Sequence, residues 1–230
     1  MTKLIRQHFL KNRRLIMTVL VIGGTGRTGF QIVKQLVNEN KNVIVGNHSG
    51  NGNIKLSKLD VSVRKFDLIK ENVAEIASKL GNVDVVIFAA GASQSHPEQA
   101  EWLDLDGAVK LMDAAKRVGI KRYLMVSAAG AADRATWNIY DIPEYYIAKY
   151  YAEKELKHSG LIYTVVRPPI LSDGSLTGKG SFHKTGNNDV VSRADVANMV
   201  VLSIADARAF NQSFDLYGGV ESMDDLLGEL

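Results

Sequence analysis

The chain has 230 residues, with 28 Lys and Arg against 25 Asp and Glu and a formal net charge of +3 at pH 7. An apolar fraction of 46% and a charged fraction of 23% exclude disordered, collagen-like and acidic-tail classes. The absence of cysteine removes disulfides, thiolate nucleophiles and Cys-based metal sites, and so small a net charge is no nucleic-acid footprint.

No apolar run approaches the ~20 residues of a membrane span, so a soluble, cytoplasmic protein is expected, with no membrane partner. Residues 1–16 carry Lys3, Arg6, Lys11, Arg13 and Arg14 with no acid and lack the apolar core of a secretion signal. They read as a basic extension ahead of one domain over 17–230, with Met17 an alternative start.

From Met17 onward short β-branched runs alternate with longer periodic ones, the pattern of strands joined by helical crossovers. A first strand is expected at Thr18 to Ile22, a helix on Phe30, Val33, Leu36 and Val37, and a second strand at Val43 to Val45. Val61 to Phe66 reads as the third strand, Leu68 to Leu80 as a helical face, and Val83 to Ala89 as the fourth strand. A helix over about Pro97 to Val118 is expected to turn Trp102, Leu105, Val109, Met112 and Ala115 inward, ahead of a fifth strand at Tyr123 to Val126. Glu144 to His158 reads as the next helix, stopped by Ser159-Gly160, and Leu161 to Arg167 as a strand blocked by Pro168-Pro169.

The glycine-rich segment 172–189 reads as a mobile loop and lid candidate; a helix at Ala194 to Ala205, a strand at Ser213 to Tyr217 and a terminal helix at Ser222 to Leu230 close the chain. The expected fold class is α/β: a Rossmann-type doubly wound parallel sheet in a three-layer α/β/α single domain.

Between the first strand and first helix lies Gly23-Gly24-Thr25-Gly26-Arg27-Thr28-Gly29. Glycines let backbone approach a pyrophosphate, and the helix start points free N–H groups at that anion, so Gly23, Thr25, Gly26, Thr28 and Gly29 are candidate cofactor-binding residues. The acid that binds the ribose hydroxyls of NAD is missing, because Val45 is followed by Gly46-Asn47-His48-Ser49. Arg27, Asn47 and His48 are instead suited to a 2′-phosphate, so NADP is preferred and NAD remains possible. Asp67 and Leu68 stand where a carboxylate meets the adenine amino group.

Tyr145 and Lys149, four apart on a helix, share one face. An ammonium beside a phenol eases its ionisation, making Tyr145 a proton donor or acceptor for a carbonyl or alcohol. Ser127 stands at the carboxyl end of the fifth strand. The glycine loop, Tyr123 to Ala128, Tyr145 to Lys149, Val166-Arg167-Pro168 and Ser192 to Ala197 resemble the short-chain dehydrogenase/reductase superfamily, and more narrowly its atypical, NmrA-like branch.

By that resemblance Ser127 would hold the substrate oxygen, Tyr145 exchange its proton, and Lys149 hold the nicotinamide ribose. Ala89, Ala90 and Gly91 would lie along the adenosine half, and Pro168 and Ile170 beside the nicotinamide. Asp106 stands where the superfamily's relay has Asn, and an ionised acid accepts but does not donate. The resemblance implies an NAD(P)-dependent oxidoreductase acting on a small carbonyl or alcohol. The alternatives are an NADP(H)-binding redox sensor or an epimerase/dehydratase, although the roughly sixty residues after Arg167 leave little room for the larger substrate domain usual in the last class.

The five histidines are scattered, so no metal is expected, and Ser127 lies outside a G-x-S-x-G elbow. The aromatic stretch Trp137 to Tyr146 is a candidate wall over the nicotinamide. Oligomeric state is not legible.

Overall fold

The structure, a computed structural model, describes residues 16–92, 96–138, 141–187 and 189–230. The extension over 1–16 lies outside them except for Ile16. Seven parallel strands form one sheet in the order β3-β2-β1-β4-β5-β6-β10. These are β1 (Thr18–Ile22), β2 (Asn42–Asn47), β3 (Ser62–Lys65), β4 (Val85–Phe88), β5 (Arg122–Val126), β6 (Ile162–Arg167) and β10 (Gln212–Asp215).

The central strands are apolar on both faces because helices cover both. Val19 and Val21 of β1 pack with Ile32, Val33 and Leu36 of helix α1 (Arg27–Asn38) and with Val196 and Val200 of α5 (Arg193–Leu202). Leu20 and Ile22, one residue out of phase, pack with α2 (Val73–Leu80), α3 (Ala108–Arg117) and α4 (Pro143–His158) through Ile76, Leu111 and Leu156. The chain reverses its direction of travel across the sheet between β1 and β4, which leaves a crevice at their carboxyl ends. Among the described residues no helix is long and apolar enough to cross a membrane.

Three local expectations are corrected. The helix expected from Pro97 is a 3-10 turn at Pro97–Gln99, a π-helix at Ala100–Gly107 and only then α3. A π turn carries more residues than an α turn and rotates the face before α3. Trp102, expected inside, is 58% exposed, while Asp104 is fully buried.

The lid candidate is tied down. β7 (Ile170–Ser172) pairs with β9 (Val190–Ser192), and β8 (Lys179–Ser181) pairs with β11 (Tyr217–Ser222). The Asp195 carboxylate accepts from the Thr177 and Gly178 N–H groups, each at 2.8 Å. The strand expected at Ser213 to Tyr217 is divided at buried Leu216 into β10 and β11, ahead of α6 (Met223–Gly228).

Candidate active site

The site is built at the carboxyl ends of β1, β4 and β5. A side chain on Gly23, which has φ of 80°, would lie 2.7 Å from the Ala90 nitrogen and 2.8 Å from the Ala89 carbonyl, so this position joins the loops after β1 and β4 without room for a Cβ. A Cβ on Gly29 would collide with the Gly23 carbonyl, fixing glycine where α1 packs beneath the loop.

The amino end of α1 has no side-chain cap and no acid in its first turn, unlike α2, which Asn72 and Glu75 close with a capping box. Its free N–H groups and partial positive charge face a cavity of about 630 Å³. Gly26, Arg27, Thr28, Ala89, Ala90 and Gly91 line one part of that cavity; Ser127, Tyr145 and Lys149 line another. A neighbouring cavity of about 490 Å³ runs past Gly23, Thr25, Asn47, His48, Asp67 and Leu68. Together they make one trough, with room for a dinucleotide laid across the crevice.

Ser127 follows β5 directly. Its N–H donates to the Val166 carbonyl at 2.9 Å, and the next turn is fixed by Ala129 N–H on the Pro168 carbonyl at 2.9 Å. The residue is 3% exposed and its hydroxyl has no partner among the described residues. A buried hydroxyl without a hydrogen bond costs about 1–3 kcal/mol, and an orphan of this kind calls for an explanation.

Tyr145 and Lys149 project from α4 into the same cavity, the lysine Nζ 5.4 Å from the centre of the Tyr145 ring. Burial raises the Tyr145 phenol above its ordinary range; Lys149 pulls it down, Asp104 pushes it further up, and the net direction is upward. The phenol is therefore protonated at neutral pH.

Asp104 is the residue that sequence reasoning missed. Its carboxylate lies 2.7 Å from the Lys149 Nζ, with both side chains buried, and accepts from the Ala92 N–H at 2.7 Å. The lysine also donates to the carbonyls of Ala90 and Val126, each at 3.4 Å. Burial alone would lower the Lys149 ammonium, but Asp104, then Tyr145 and Glu153, outweigh it, and its pKa is raised.

Asp106, the expected relay acid, instead pairs with Lys110 at 2.9 Å on the half-exposed side of the helix. The available signal was the stripe Asp104, Ala108, Leu111 and Ala115, an acid in register with an apolar face. The neighbouring stripe through Trp102, Leu105, Val109 and Met112, bulkier and more apolar, masks it in the sequence.

Other expected residues divide in the same way. The Asn47 amide is spent inside its own turn, donating to the Asn51 carbonyl at 2.7 Å and accepting from Gly50 N–H at 2.7 Å. His48 lines the trough and is exposed. Asp67 lines it too, while its backbone carbonyl and carboxylate accept from the N–H groups of the following turn.

Pro168 and Ile170 do not line the cavity; Ile170 is 48% exposed, and Leu171, one position on, takes the inward place that strand alternation assigns it. Of the aromatic stretch, Ile142 and Tyr145 line the cavity, whereas Trp137 stacks on Tyr150 and donates to the Ala131 carbonyl at 3.1 Å. Tyr140 lies outside the described residues. Arg27 pairs with Asp173, which also takes Arg193 at 2.8 Å.

A model of NAD(P)H-binding domains matches residues 23–207, which contain the glycine loop, Ser127, Tyr145 and Lys149. The chain belongs to this NAD(P)H-binding family. It is 34% identical over 221 residues to the Bacillus subtilis protein named "Uncharacterized sugar epimerase YhfK", covering 93% of this chain and 100% of that one. Among solved structures it resembles a Bacillus halodurans protein with an NAD-dependent epimerase/dehydratase designation, at 27% identity and a TM-score of 0.83 over 93% of this chain and all of that one. A Veillonella parvula short-chain dehydrogenase/reductase in complex with NADP shares the fold at 18% identity, with a TM-score of 0.70 over 90% and 96% of the two chains. The expected fold class and the dinucleotide-binding family both stand, and the trough at the carboxyl ends of β1, β4 and β5 fits that cofactor class.

Proposed function

We propose that this NAD(P)H-binding protein is an oxidoreductase that uses NADP(H) to interconvert a carbonyl and an alcohol on a small, partly apolar substrate. The observation that carries the reading is the partnerless, buried Ser127 hydroxyl on one cavity wall with Tyr145 and Lys149. A carbonyl or alcohol oxygen is the partner that the Ser127 hydroxyl lacks. The cofactor, when bound, supplies or accepts the hydride.

The chain's own part is to bind, orient and move one proton. The free N–H groups at the start of α1 receive the diphosphate, and Ser127 donates to the substrate oxygen. Tyr145, held protonated by burial, gives its proton to that oxygen as the carbonyl is reduced, and takes it back in the reverse direction. Asp104 is a positioning residue: it fixes the Lys149 ammonium between Ala90 and Tyr145, where the lysine can meet the nicotinamide ribose.

NADP is preferred over NAD because no carboxylate follows β2 to receive the ribose hydroxyls, and because Lys55 lines a groove of about 1120 Å³ with Thr25 at the edge of the trough. The test pairs binding with turnover. NADPH should bind more tightly than NADH in a calorimetric titration. Tyr145→Phe should keep NADPH binding and lose roughly 10²–10⁴ in kcat on any carbonyl compound found by screening for NADPH oxidation. Full turnover by that variant would overturn the mechanism.

An epimerase, the activity in the name of the Bacillus subtilis relative, would use the same three side chains but return the hydride to its substrate, giving product with no net change in NADPH absorbance. A second reading, a nucleotide-binding regulator, is favoured by one observation: the Lys149 charge is committed to Asp104, so the phenol is not activated. Tight NADPH binding with no turnover on any carbonyl compound would select it.

A further inference from the structure

Three segments far apart in sequence meet at the mouth of the trough. Arg27, within the glycine loop, is the first residue of α1. Arg193 is the first residue of α5. Asp173 follows β7 and takes both guanidinium groups, Arg27 through one carboxylate oxygen and Arg193 through the other at 2.8 Å. Both arginines line the 630 Å³ cavity, together with Gly26 and Thr28 of the helix start. Asp173 is absent from that lining and is open to water. Two cations thus face the cavity at the helix terminus suited to an anion, and one carboxylate holds both from the outside.

The two arginines are not alike. Arg193 is 12% exposed and anchored in an ordered helix whose amino end Ser192 caps, whereas Arg27 is 65% exposed. Arg27 and then Arg193 hold the Asp173 carboxyl below its ordinary range, so it is ionised at any pH near neutral. An exposed ion pair of this sort is weak, screened by water and salt, and readily exchanged. A diphosphate offers more oxygens and a higher charge to the same guanidinium groups, in the bidentate geometry that arginine favours.

We propose that Arg27 and Arg193 form a two-cation clamp for the cofactor's diphosphate, and that Asp173 is an internal anion occupying the clamp until the nucleotide displaces it. This rests on the trough being a dinucleotide site. It adds that loading the site releases the segment between β7 and β8 from its contact with the glycine loop, so nucleotide binding is coupled to the connection beside the substrate end of the cavity.

The experiment is calorimetric titration of the full chain with NADPH and, separately, with ADP, which carries the diphosphate without the nicotinamide half. Asp173→Asn, at an exposed position, should tighten both ligands about two- to fivefold by removing the competing anion. Arg193→Gln should weaken both roughly tenfold or more by removing a charge-assisted bond. Thermal melts establish that both variants fold. If Asp173→Asn leaves affinity unchanged or weakens it, the displacement is wrong. Tightening for NADPH alone, with ADP unaffected, would move the clamp off the diphosphate and equally overturn the inference. Failure of the unmodified protein to bind NADPH or ADP at millimolar concentration would overturn the dinucleotide site itself, a result distinct from either.

Discussion

The two ends of strand β5 bury polar groups in opposite ways. At its first residue, Arg122 is 7% exposed and gives its donors to the carbonyls of Ile204, Ile162 and Ser203 and to the Thr164 hydroxyl, at 2.6–3.0 Å. Phe210 covers the guanidinium face. Just past the last residue, Ser127 is 3% exposed and its hydroxyl meets no partner among the described residues. Burial lowers the Arg122 pKa to about 10, so the group stays charged at neutral pH and its partners are dipoles of the fold. A buried polar group whose capacity is filled from within holds the structure together; one whose capacity is left open awaits something from outside. Lys149 stands between these cases, its charge met by Asp104 and one side turned to the cavity.

Substitutions can break this contrast, and the largest effect belongs to the closed end. Arg122→Met should cost about 3–5 kcal/mol in urea unfolding, because it strands several buried acceptors at once. Asp104→Asn should cost ~3 kcal/mol by leaving the Lys149 ammonium buried without its carboxylate. The double variant Asp104→Asn/Lys149→Met should recover much of that loss, giving a large coupling energy. Additive losses in the cycle would dissolve the pair.

A smaller effect is expected from pH. The folded protein raises the pKa of Lys149 above the ordinary 10.5 and that of Tyr145 above 10.0. Both shifts contribute stability that is present in full below the ordinary values and lost as pH rises through the folded ones. The unfolding free energy should therefore decline above about pH 10, and replacing Asp104 and Lys149 together should remove the lysine's share of that decline.

The smallest loss is expected at the open end: Ser127→Ala should cost no stability and relieve up to about 1–3 kcal/mol, since it removes an unpaired buried hydroxyl and no bond within the protein, while sharply lowering turnover. Asp106→Asn should alter neither stability nor turnover appreciably, its pairing with Lys110 being a half-exposed one within a helix.

The closed end and the open end were not equally legible in sequence. The continuous apolar run at Thr18 to Ile22 and the glycine loop behind it announce a doubly wound sheet, because both depend on local residue types. Ser127, Tyr145 and Lys149 were legible for the same reason: a strand end and a four-residue helical spacing bring them to one cavity.

Asp104 was not, because the neighbouring stripe through Trp102, Leu105, Val109 and Met112 carries the larger apolar residues and draws the inward face to itself, whereas in the π turn at Ala100–Gly107 Trp102 points out and Asp104 in. The segment 172–189 reads as a mobile loop because β8 gains its meaning from β11, some forty residues later, and no local pattern carries such a pairing. Arg122 could be read only as the start of a strand, since its acceptors come from β6 and the end of α5.

By the proposed function, the open end of β5 faces a nicotinamide. A crystal structure of the protein grown with NADPH tests it most directly. The diphosphate should rest on the first turn of α1, with the nicotinamide ring within about 4 Å of the Ser127 and Tyr145 side chains, close enough for a substrate carbon to sit against it. A nucleotide bound elsewhere, or bound in the trough with its nicotinamide turned away from Ser127, would contradict the account.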